Sequence, residues 1–64
     1  MNNNVIRGLL EDLRGGGFTA SLIVDGVIIE NQKVVAFENG VVYTVNAAGL
    51  ARATLIDRID SVNF

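Results

Sequence analysis

The sequence has no cysteine, so no disulfide can brace it. It has no histidine either, and without thiols or imidazoles a zinc site lacks its usual ligands. Proline is absent as well, which removes one of the devices that protect an open sheet edge. No apolar run approaches the ~20 residues that span a bilayer. Asn2-Asn3-Asn4 is not a signal-peptide start. The expectation is therefore a cytoplasmic protein with no membrane partner. A basic excess is missing too: five basic and seven acidic side chains give a net charge of −2. Arg7, Arg14, Lys33, Arg52 and Arg58 are scattered, so DNA is not an expected partner and RNA is not a favoured one. Two carboxylate pairs, Glu11/Asp12 and Asp57/Asp60, have no accompanying nucleophile, imidazole or metal-ligand set. The reading is no enzyme, no catalytic residue, no metal and no cofactor.

What the chain does have is apolar surface. It is 64 residues long, 50% hydrophobic, with a mean hydropathy of +0.41. A single domain of this size buries only about 60% of its unfolded surface. Small folds are usually supported by disulfides, metals or oligomerisation, and the first two are excluded. The surplus of apolar side chains implies burial against further copies of the chain, a homo-oligomer.

Asn2 to Asn4 offer an N-cap, and a helix is expected over about residues 4–14. Val5, Ile6, Leu9, Leu10 and Leu13 recur at helical spacing as one apolar stripe. Gly8 costs that helix roughly 1 kcal/mol relative to Ala; a close approach would explain it, and a neutral position is the equal alternative. Gly15-Gly16-Gly17 ends it, with Gly15 the natural left-handed C′ residue. This glycine run follows a helix, whereas phosphate loops precede one, so phosphate binding is disfavoured. Phe18 to Val24 alternates as a first strand, with Phe18, Ala20, Leu22 and Val24 on one face. Asp25-Gly26 suits a tight primed turn. The next strand places Val27 and Ile29 inward. Its phase then slips through Glu30-Asn31-Gln32-Lys33, which predicts a bulge or bend near Asn31. A turn at Asn39-Gly40, a strand over Val41 to Val45, a loop over Asn46 to Gly49, a strand over Leu50 to Ile56, a short break at Asp57-Arg58 and a strand from Ile59 to Phe64 complete the chain.

A helix over about 4–14 followed by five strands over about 18–64 predicts one mostly β domain, a strongly bent antiparallel small barrel. The run Leu22-Ile23-Val24-Asp25-Gly26-Val27-Ile28-Ile29, then Gln32, then Phe37-Glu38-Asn39, resembles the first motif of the Sm-like family. The ending Leu55 to Val62 is similar to that family's second motif. Within the family the likeness is nearest to the Hfq-like bacterial RNA chaperones. The resemblance implies rings in which the last strand of one subunit pairs with the fourth strand of the next. It also implies ligand-contact loops at Glu38, Asn39, Asp57 and Arg58, although a plain turn at Asn39-Gly40 and a solvated corner at Asp57-Arg58 is the favoured reading. Two departures stand out. Asn31 occupies a bend that usually carries glycine. Leu55, Ile56 and Asp57 stand where the chaperones have a Tyr-Lys-His run, so base stacking and phosphate neutralisation there would be lost.

The fourth and fifth strands carry neither Pro nor Lys, and Leu55, Ile56, Ile59, Val62 and Phe64 are apolar. That is the pattern of an edge made to pair with another chain. Arg52, Thr54 and Asp60 complete the expected interface, with Arg52 suited to an acid on a neighbouring copy. Phe37 and Tyr43 could stack on bases, but packing is favoured. The leading expectation is a self-assembling ring or filament with a structural or scaffolding role. An RNA-binding ring using outward residues around Gln32 and Lys33, or an adaptor subunit of a larger complex, are the alternatives.

Overall fold

The computed structural model describes residues 4–64. The proposed N-cap residues Asn2 and Asn3 therefore lie outside the described residues. Helix α1 spans Asn4–Gly16. Leu10 and Leu13 are fully buried, Ile6 packs beside them, and Val5 at the outer margin of the stripe is 69% exposed. A Cβ added at Gly8 would meet nothing within 4 Å, so no close approach explains this glycine. The helix also runs two residues past the expected end. Gly17, not Gly15, takes the positive φ of +70°. Gly17 N and Phe18 N both donate to Leu13 O, at 2.9 and 3.3 Å, closing a Schellman-type cap. The extension through two glycines costs about 1 kcal/mol each. Burying Leu10 and Leu13 contributes about 1.5–3 kcal/mol each, so docking, not propensity, holds the helix.

Five antiparallel strands follow: β1 Thr19–Val24, β2 Val27–Glu38, β3 Val41–Val45, β4 Ala51–Leu55 and β5 Ile59–Asn63. Their order in the sheet is β4-β3-β2-β1-β5. Both expected tight turns are present. Asp25 and Gly26 have φ of 50° and 81°, and Asn39 and Gly40 have 48° and 77°, the paired positive values of a type I′ turn. The expected irregularity at Asn31 is also present: its φ is 56°, and the register with β1 jumps between Ala20↔Gln32 and Leu22↔Ile29. One extra residue on β2 makes this a bulge. A second shift on β2, between Val34↔Thr44 and Ala36↔Tyr43, bends the strand again toward β3. Early β2 thus pairs with β1 and late β2 with β3, which curves the sheet around one core.

That core joins Leu10 and Leu13 of the helix to Ala20, Leu22, Val34, Val42, Ile56 and Ile59. A buried polar pair sits among them. Thr44 Oγ1 donates to Gln32 Oε1 at 2.7 Å, and Gln32 Nε2 donates to Glu30 O at 2.9 Å, across the bulge. Gln32 is 4% and Thr44 0% exposed. The inward assignments at the ends of the first hairpin do not hold. Phe18 and Val27 are 63% and 61% exposed, because both lie beyond the area that the helix and curved sheet enclose. Among the described residues no helix is long and apolar enough to cross a membrane.

Candidate functional site

Two features concentrate the predicted residues: the open edges of the sheet, and a corner where three turns meet. The edges follow from the strand order. Among the described residues, β4 has β3 on one side only, and β5 has β1 on one side only. Four of the five β4 residues, Ala51, Arg52, Ala53 and Leu55, are exposed. Only Thr54 is covered, so this short strand gains little burial from its own fold, and burial is what stabilises a strand. Leu55 is 51% exposed and Phe64, just past β5, is 75% exposed. Arg52 is opposite buried Thr44, so it leaves the sheet on the inner side at the open edge.

Not every predicted interface residue faces outward. Ile56 and Ile59 are each 1% exposed and belong to the chain's own core. Ile56 is not a strand residue: the chain turns through a 3₁₀ segment, Ile56–Arg58, which points Ile56 inward. Thr54 is 7% exposed, held against the core opposite Val42. Val62 is half-buried opposite Leu22 and packs against the core. Periodicity identifies an apolar strand but not which neighbour covers it, and here the helix and sheet already cover these three aliphatics. Arg52, Leu55, Asp60 and Phe64 remain at the surface.

The corner unites the turns. Ile56 N donates to Gly40 O at 2.9 Å, joining the Asn39-Gly40 turn to the 3₁₀ segment. Asp25 N donates to Arg58 O at 3.3 Å, and Arg58 Nη1 donates to Asp25 Oδ2 at 3.2 Å. Gly26 N donates to Asp60 Oδ2 at 3.0 Å. Asp60 is the extra residue where β5 shifts register against β1, between Ile23↔Ser61 and Val24↔Ile59. The turns that carry Glu38, Asn39, Asp57 and Arg58 thus lie at one end of the fold. Asp25 and Asp60 join them through these contacts. Arg58 is occupied by Asp25, and the Tyr43 hydroxyl approaches Glu38 Oε1 at 3.5 Å.

Gln32 and Lys33 do not belong to this corner. Lys33 is exposed and pairs in register with Thr19 and Val45. Gln32, expected to face outward, faces inward, because the bulge at Asn31 rotates it into phase with Val34. Phe37 is half-buried against the core, with the Arg7 guanidinium 6.0 Å from its ring centroid. Arg7 also lies 3.9 Å from Glu11.

A shallow groove opens beside the β4 edge. It is lined by Ile29, Glu30 and Gln32 of β2, by Asn46 just after β3, and by Leu50, Ala51 and Arg52 at the start of β4. Leu50, just before β4, is 67% exposed there. No family model, curated protein or solved structure matches the chain.

Proposed function

We propose that the chain is a small Sm-like barrel that assembles with copies of itself, edge to edge, into a structural or scaffolding oligomer. The observation that carries this reading is the pair of unpaired edges, β4 and β5, at opposite margins of one sheet. An exposed edge is a template for another strand, and natural monomers blunt it. Neither Pro nor Lys does so here. Using both edges head-to-tail makes a ring if the rotation closes and a filament if it does not. The RNA reading has weaker support, since Gln32 is inside and Arg58 is paired with Asp25.

Light scattering on a sizing column tests the proposal. The expected result is a discrete or open-ended multiple of 6.8 kDa. A clean monomer at micromolar concentration removes the basis of the reading. Ala53→Lys supplies the matching variant, because Ala53 is exposed on β4 and opposite only Tyr43. Placing a lysine on the edge is expected to dissociate the assembly while leaving the subunit's fold, read by circular dichroism, unchanged.

A further inference from the structure

We infer that Phe64 of one copy seats in the groove at the start of β4 of the next, opposite Leu50. The inference deepens the edge-to-edge reading and rests on it. All four existing ladders are antiparallel, and a new ladder that keeps this sense extends a uniform sheet. β4 and β5 are both five residues long. Their full antiparallel overlap sets Ala51 against Asn63, and one residue further sets Leu50 against Phe64. Asn46 N donates to Leu50 O at 3.1 Å, so Leu50 already continues the line of β4.

The faces agree with this register. Arg52 and Thr54 lie opposite the buried residues Thr44 and Val42, which places them on the inner side with Leu50 in phase. Val62 lies opposite buried Leu22, which places it on the inner side with Phe64 in phase. Directly opposed residues share a face. The two most exposed apolar side chains beside the open edges, Leu50 and Phe64, therefore meet. The groove walled by Ile29 and Arg52 receives the ring, with the guanidinium at its margin. The bulge at Asp60 displaces only the far end of the overlap.

The absence of native cysteine makes engineered thiols unambiguous. Leu50→Cys and Phe64→Cys single variants are mixed and oxidised, with each variant alone as control. Opposed residues meet the Cα spacing of a disulfide, so the mixture is expected to give a cross-linked dimer beyond either control. Leu55→Cys mixed with Phe64→Cys is expected to give none. The reverse pattern means parallel pairing and overturns the inference. Phe64→Ala is expected to raise the midpoint concentration of dissociation by about tenfold, with the circular dichroism spectrum unchanged. If the unmodified protein assembles and neither the cross-link nor the midpoint responds, the Phe64 seat is wrong and the edge reading stands. If the unmodified protein is monomeric throughout, both fall.

Discussion

Removing the Gln32–Thr44 contact in steps tests whether this buried pair fixes the bend of β2. Thr44→Val leaves Gln32 Oε1 without its donor in a site only 4% exposed. An orphaned buried acceptor costs about 1–3 kcal/mol. Gln32→Leu leaves the Thr44 hydroxyl without its acceptor, again about 1–3 kcal/mol. It also removes the tie from Nε2 to Glu30 O, worth about 1 kcal/mol. The double variant replaces both partners by apolar groups and orphans neither, so it loses only the tie, about 1 kcal/mol. The singles should therefore sum to roughly 3–7 kcal/mol, against about 1 kcal/mol for the pair together. Urea unfolding at one fixed protein concentration measures all four species, since assembly would make the midpoint concentration-dependent. Additive losses would refute the reasoning, because they would mean that the two side chains do not depend on each other.

Gly8→Ala is expected to stabilise the protein by about 1 kcal/mol, or roughly 4–8 °C in thermal midpoint, because among the described residues no atom beyond its own helix backbone and chain neighbours lies within 4 Å of the added methyl group. Asn31→Val is expected to destabilise by about 1–2 kcal/mol in the same melt, since a β-branched residue resists the φ of 56° that Asn tolerates. Arg58→Ala is expected to cost at most about 1 kcal/mol, because both partners of its ion pair are more than half exposed, and the difference should shrink in high salt.

The turns were legible because their chemistry is local: Asp25-Gly26 and Asn39-Gly40 need no tertiary context to take positive φ. The bulge was legible as a break in alternation at Asn31. The helix end was not, because three successive glycines offer the same local conformation. Only the burial of Leu13 and the cap onto its carbonyl select Gly17. Gln32 was misplaced because a polar side chain scores as outward. Its phase with Val34 was the available signal, but reading it requires the bulge to be counted first. At the candidate edges, Leu55 and Phe64 were recognisable as apolar and unprotected. Ile56 and Ile59 share that composition, and the 3₁₀ turn that sends Ile56 inward has no distinctive sequence mark. The corner contacts Asp25–Arg58 and Gly26–Asp60 span more than 30 positions, beyond any pattern of spacing.

The pairing of β1 with β5 bears on how the chain reaches its fold. Ser21 meets Asn63 and Leu22 meets Val62, so this ladder closes a loop of about 40 residues, and such distant pairing slows folding. During synthesis the first hairpin is complete long before its outer neighbour exists. Until then β1 offers a vacant slot, and β5 of any nearby molecule fits it as well as its own does. The connection through Ile56–Arg58 is the hinge such an exchange would use. Domain-swapped species should therefore accumulate when the protein is refolded at high concentration and vanish when it is refolded dilute.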